Sequence, residues 1–192
     1  MSTLLLKFDP PMQSWGTELK LKDHPTDRYP SKSGVIGLVA SAQGRRRDAD
    51  VSDLAALKFG VRIDEQGTII NDFQVSHFDE DNAKIGRREY LSDAVFTCGI
   101  EGDPKTLEEI RDALLHPAYP LFAGRRGCPV TAELVQDIVS EDLLSALTKN
   151  DEDKTKSIII DTDDADGIAI KDVPISFSPF NRQYRYRFVK KL

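Results

Sequence analysis

Apolar residues along this 192-residue chain change their spacing from one stretch to the next, and each spacing predicts an element. Residues 3–8, TLLLKF, form a short continuous apolar run that reads as a strand entering a core, ended by the turn chemistry of DPPMQSWG. Val35, Ile36, Leu38 and Val39 recur at helical spacing behind Ser31 and Ser33, either of which can cap, and Gly44 stands where a helix stops. A short helix over Ser52 to Phe59 follows, then the strand-like GVRID, a turn at Glu65-Gln66-Gly67, and TIINDFQVSHF, together a hairpin by pattern. The polar DEDNAKIGR reads as a loop, while REYL and DAVFTCGIE read as two strand pieces about Asp93. Pro104 opens an amphipathic helix in which Leu107, Ile110, Leu114 and Leu115 share a face.

Up to residue 117 the order is strand, helix, strand, strand, strand, helix. That order predicts an α+β fold over residues 1–129: a ferredoxin-like, RRM-related domain with a mostly antiparallel sheet. Beyond Pro129 come a helical stretch around Glu141 to Leu147, an acidic loop, and the short strands SIIID, GIAI, VPISF and YRYRFV. These predict a smaller β-rich lobe, residues 130–192, packed beside the first.

Composition adds three constraints. A hydrophobic fraction of 40% supports a real core. Only two cysteines occur, Cys98 and Cys128, with no C-x-x-C pair, so neither a zinc site nor a disulfide framework is expected and a reducing cytoplasm is the simplest home. Leu4-Leu5-Leu6 is broken at once by Lys7 and Asp9, too short for a membrane segment.

The formal net charge of −6 argues against a nucleic-acid partner until its distribution is considered. Residues 151–172 hold eight acids against three lysines, which accounts for most of the excess. Cations cluster at Arg45-Arg46-Arg47, at Lys84 with Arg87-Arg88, at Arg125-Arg126, and in a tail with Arg182, Arg185, Arg187, Lys190 and Lys191. Segregated signs allow a basic face on an acidic protein.

Three stretches carry candidate chemistry. In YPSKSGVIGLVASAQGRRR a P-loop fails, because Thr26 and Ser31 stand where glycines are required. The first-turn amides, the helix dipole, Lys32 and the serine hydroxyls still suit one phosphate, and equally suit a plain cap with a solvated lysine. In FAGRRGCP, glycines let amides approach a phosphate that Arg125 and Arg126 clamp; the bland alternative is a tight turn. Trp15 in QSWG either stacks on a base or anchors the core. The run DTDDADG fails as a calcium loop at Thr162 and Val173 and reads as a solvated acidic loop. The histidines, His24, His77 and His116, form no triad, although His77 with Lys84 and Tyr29 has the parts of a metal-free ribonuclease. No metal and no cofactor is expected.

Taken together, QSWG at 13–16, YPSKSGVIGLVA at 29–40, REYLSDAVF at 88–96 and PLFAGRRGCP at 120–129 resemble, in order and spacing, the CasD family of subunits of the type I-E CRISPR surveillance complex, Cascade. The resemblance implies membership of the repeat-associated RNA-binding superfamily and a non-catalytic role. One copy would cap the end that holds the 5′ handle of the CRISPR RNA, against the backbone subunit and the large subunit. It implies Lys32, Ser33, Arg88, Arg125 and Arg126 near the handle, Arg87 at the return of a thumb hairpin within residues 68–90, and Gln13 and Trp15 close by. The insert between Phe78 and Arg88 is short for the family, and Gly127 stands where serine is common. A sister family in type I-C systems cleaves precursor RNA, so a metal-independent endoribonuclease acting on repeat RNA is the alternative. A protein-interaction module with basic patches is a third.

Overall fold

The computed structural model describes residues 1–16, 23–79, 82–149, 156–164 and 166–192, with the side chains of Asp23 and of residues 76–84 left aside. In chain order the elements are β1 (Ser2–Phe8), β2 (Met12–Gln13), β3 (Asp23–His24), α1 (Lys32–Ala42), α2 (Ser52–Ala55), β4 (Lys58–Glu65), β5 (Thr68–Asp79) and β6 (Asn82–Ser92). They continue with β7 (Val95–Gly102), α3 (Pro104–Leu115), β8 (Val135–Val139), α4 (Leu143–Thr148), β9 (Ile158–Asp161), β10 (Ile168–Ser176) and β11 (Gln183–Lys191).

A seven-stranded sheet runs in the order β10-β11-β9-β4-β7-β1-β8, and every neighbouring pair is antiparallel. The chain is therefore α+β with a large antiparallel sheet. β1 lies inside it with both faces covered, which is why its residues read as an apolar run and not as an alternation. Leu4, Leu6 and Phe8 join Val35, Ile36 and Val39 of α1, Phe59, Phe96, and Leu107 and Ile110 of α3 in the main core. Leu143 and Leu147 of α4, with Ile158, form a smaller apolar layer.

Several expectations are corrected by this topology. Residues 130–192 do not stand beside the first part as a lobe; β8 pairs with β1 and β9 pairs with β4, so the C-terminal strands extend the same sheet on both sides. GVRID and TIINDFQVSHF do not form a hairpin. β4 stays between β7 and β9, while β5 leaves to pair with β6 in a second sheet ordered β2-β6-β3. The polar stretch expected as a loop is drawn largely into β6, because pairing with β5 satisfies its backbone whatever its side chains. The helix expected over 52–59 ends at Ala55, since Lys58 already begins β4. GIAI and VPISF are one edge strand, β10, whose register shifts beside Pro174, a place where proline costs no ladder bond. Leu115 is exposed, unlike Leu107, Ile110 and Leu114. No helix among the described residues is long and apolar enough to cross a membrane.

Candidate nucleic-acid interface

The start of α1 already holds an anion, and that anion is internal. Ser31 is the cap, its hydroxyl accepting from the Gly34 amide at 3.2 Å. The Lys32 amide donates to the Asp172 carboxylate at 2.8 Å, and the Lys32 ammonium donates to Asp161 at 3.1 Å. Arg187 completes the cluster with two bonds to Asp172, at 2.6 and 2.9 Å, and another to Asp161. Lys32 is 5% exposed and Asp172 1%. Burial lowers the Lys32 pKa below that of an ordinary lysine, against the opposing pull of Asp161. The assignment of Lys32 to an RNA phosphate is therefore corrected: its charge is spent on a carboxylate inside the protein. Asp161 likewise belongs to this cluster, not to a solvated acidic loop, and Arg187 does not belong to a basic surface.

Gln13 and Trp15 are corrected in the same way. Gln13 is fully buried and donates to the Ala94 carbonyl at 2.7 Å, while the Trp15 indole donates to the Gln13 side-chain oxygen at 3.0 Å. Trp15 meets Phe8 edge-on at a centroid distance of 5.1 Å and is 1% exposed, so its ring offers no open face for a base.

Around this interior the chain leaves a wide groove of about 1110 Å³. One stretch of its lining is the small-residue side of α1, with Ser33, Gly37 and Ser41 spaced one turn apart. Beyond the helix end, Gly44 in a left-handed conformation closes a paired cap, with Gly44 and Arg45 amides donating to the Ser41 and Ala40 carbonyls. Arg45, Arg46 and Arg47 all line the groove; Arg45 is held on Asp53 by two bonds of 2.6 and 2.5 Å, whereas Arg46 and Arg47 are exposed. The groove thus follows the helix from Ser33 toward the arginine run.

The FAGRRGCP loop supplies another part of the lining. Phe122 and Pro129 bridge, the Ala123 amide donates to the Cys128 carbonyl at 2.7 Å, and the Ser14 amide donates to the Ala123 carbonyl at 3.1 Å. Gly124, at φ +89°, presses on Ser14 so closely that a Cβ would sit 1.7 Å from the Ser14 carbonyl oxygen. That contact fixes the loop, and with it Arg125 and Arg126. Arg125 lies over Tyr90 at 5.2 Å from the ring centroid and donates to the His24 carbonyl at 2.8 Å; Arg126 is exposed in the groove. Gly127 has open space around its Cβ position, so steric fit does not explain the glycine.

Arg87 and Arg88 do not line the groove but stand at its border, on β6, opposite Asp23 and His24 of β3 in parallel register. Arg88 shares a strand face with Tyr90, the ring beneath Arg125, whereas Lys32 is paired in the interior. Arg87 faces the other way and lies over Phe73 at 5.4 Å. Beyond this point β5 and β6 project as a two-stranded hairpin. Phe73, Val75 and Ile85 are 61%, 55% and 66% exposed, and cross-strand pairing puts them on one side. From Phe73 to Asp79 the projection spans about 20 Å at ~3.3 Å per residue.

Sequence reasoning missed one wall of the groove. Phe177, Phe180 and Arg182, from the connection between β10 and β11, and Tyr184 at the start of β11 line it together with Tyr119. Their composition, FSPFNRQY, combines turn residues, aromatics and a cation, which is a usable signal once the segment is known to return to α1.

Comparison with known proteins agrees with this architecture. The profile of the family described as CRISPR-associated protein (Cas_Cas5) matches residues 3–190. The CRISPR system Cascade subunit CasD of Escherichia coli (strain K12) is 35% identical, over 69% of this chain and 69% of its own. A solved structure described as a CRISPR RNA-guided surveillance complex superposes with a TM-score of 0.84 at 29% identity, covering 99% of this chain and 89% of the matched one. Another, described as a crystal structure of a Cas protein, gives 0.78 at 35% identity, covering 99% and 93%.

Proposed function

We propose, from the premise that this chain belongs to the Cas_Cas5 family of CRISPR-associated proteins, that it is a non-catalytic, RNA-binding subunit of a Cascade-type surveillance complex and holds the 5′ handle of the CRISPR RNA in its groove. One observation carries the reading: exposed Arg46, Arg47, Arg126 and Arg182 line a single open groove with Tyr119, Phe180 and a small-residue helix face. Guanidiniums clamp phosphates in two-bond geometry, aromatic rings receive unstacked bases, and the small side chain of Ser41 lets a sugar-phosphate chain approach the end of the helix closely. Arg88 and Arg125 extend the cationic surface to the hairpin base. The apolar side of the projecting hairpin, Phe73, Val75 and Ile85, is the contact for a neighbouring backbone subunit, and the large subunit is the second protein partner. The place of action under this reading is the cytoplasm, with the ribonucleoprotein.

The catalytic alternative has less support. His77 and Lys84 lie outside the described side chains, and Tyr29 is half-buried, with burial raising its pKa above that of an ordinary tyrosine.

The test is a salt titration of binding to handle RNA copied from the host's CRISPR repeat. Affinity should fall steeply with salt, and Arg125→Ala and Arg126→Ala should each reduce the slope by about 1. Absence of binding at low salt sinks the reading. Incubating the same RNA with the protein in EDTA should leave it intact; cleavage abolished by His77→Ala would replace the subunit role with an endoribonuclease.

A further inference from the structure

We propose that Phe180 is a stacking platform for one unpaired base of the bound strand, presented by a hydrogen-bonded turn that lines the groove. The inference rests on the groove being an RNA site and adds to it a residue that reads a base and not a phosphate. The Phe177 ring anchors the segment against α1 at Gly37, where an added Cβ would meet it at 3.5 Å. From that anchor Ser178-Pro179-Phe180-Asn181 closes as a turn, the Asn181 amide donating to the Ser178 carbonyl at 3.2 Å, with Pro179 presetting the second position. The Ser178 amide donates to the Ser176 hydroxyl at 3.2 Å, and the Gln183 amide side chain donates to Asn181 at 2.7 Å. The segment is therefore held by its own bonds on both sides of Phe180.

Phe180 itself is 99% exposed. A ring so placed contributes no burial to the fold, yet the turn sets the backbone that carries it and Arg182 and Arg126 line the same groove. A flat ring flanked by guanidiniums matches a single strand, the base lying on the ring while phosphates on either side meet the cations. An apolar protein anchor would instead call for apolar surroundings, whereas Asn181, Arg182 and Gln183 next to it are polar and exposed.

The experiment uses the full chain and handle RNA from the host's repeat, with 2-aminopurine placed at each position in turn. Wild type and Phe180→Trp should quench one position on binding, and Phe180→Ala should lose that quenching. Affinity should fall about tenfold in Phe180→Ala and by a similar factor in Phe180→Leu, while the salt slope stays unchanged. Full quenching and affinity in Phe180→Ala would overturn the proposal. Phe180→Leu binding as well as wild type would overturn it in favour of a simple apolar contact. Normal RNA binding by Phe180→Ala with failure to assemble with neighbouring subunits would overturn it in favour of a protein anchor. An Arg125→Ala/Arg126→Ala double variant with an unaltered salt slope would remove the groove reading itself, an outcome separate from any result at Phe180.

Discussion

Asp172 shows how one residue decides what a helix end can bind. It receives the Lys32 amide and both sides of the Arg187 guanidinium at 1% exposure, so the dipole of α1 and the Arg187 charge are neutralised within the fold. Replacing one partner of such a cluster strands the other in a dry site. Asp172→Ala should therefore lower unfolding free energy by about 3–5 kcal/mol, measured by urea denaturation. Lys32→Met, which keeps the volume and removes one cation from a cluster holding two carboxylates, should cost less and leave handle affinity within about twofold of wild type. Loss of RNA binding in a folded Lys32→Met protein would return that lysine to the interface. Asp64 gives a pH-dependent counterpart. Burial raises its pKa, but Thr97, Arg62 and Lys156 together outweigh that and hold it below the ordinary 3.8. A carboxyl lowered by folding stabilises fully above its unfolded value, and that contribution is lost as pH falls through the folded value. The urea midpoint of wild type should thus drop between about pH 5 and about pH 3 more than that of Asp64→Asn, which starts lower.

At the scale of elements, α1 is held between two demands, a core face and a groove face, and its two interior glycines differ in how much room a side chain would find. A Cβ on Gly34 would lie 2.9 Å from the buried Trp15 ring and 3.1 Å from the capping Ser31 hydroxyl, whereas one on Gly37 would make an ordinary 3.5 Å contact with Phe177. Gly34→Ala should destabilise by about 1–3 kcal/mol through overpacking, and Gly37→Ala should be neutral or gain up to about 1 kcal/mol of helix propensity, read as shifts in urea midpoint. Equal losses at both positions would contradict this difference in clearance. The helices α1 and α3 were legible in the sequence because each carries a helical period, and β1 and β7 because each is a short apolar run bounded by turn residues. β6 was legible only in its REYL half; its first half, read as a loop, pairs through backbone groups and its side chains are mostly polar. The hairpin assigned to β4 and β5 failed for a related reason: local turn chemistry was right, but partner choice is non-local. Arg125, Arg126 and Ser33 were legible as groove residues from their motifs. Lys32 was not separable from them, since its partners stand 129 and 140 residues away and no local pattern records an ion pair of that range.

For the whole molecule the decisive feature is that strands from both ends of the chain share one sheet. β9 inserts between β4 and β11, and its Asp161 reaches the Phe59 amide at 2.9 Å as well as Lys32 and Arg187. The C-terminal strands are thus covalently late but energetically central, and they bring Phe177 and Phe180 back to α1. A chain built this way has no boundary near residue 130 across which few contacts pass, so it should unfold as one unit. Trp15, the sole tryptophan, sits at the core beside α1, and far-UV circular dichroism reports the strands of the whole sheet. Urea transitions followed by Trp15 fluorescence and by far-UV circular dichroism should coincide, and Asp172→Ala should move both together. A tryptophan transition that stays in place while the circular dichroism splits into two steps would show that residues 130–192 fold as a separate body, and the groove they help to line would then be an interface between domains.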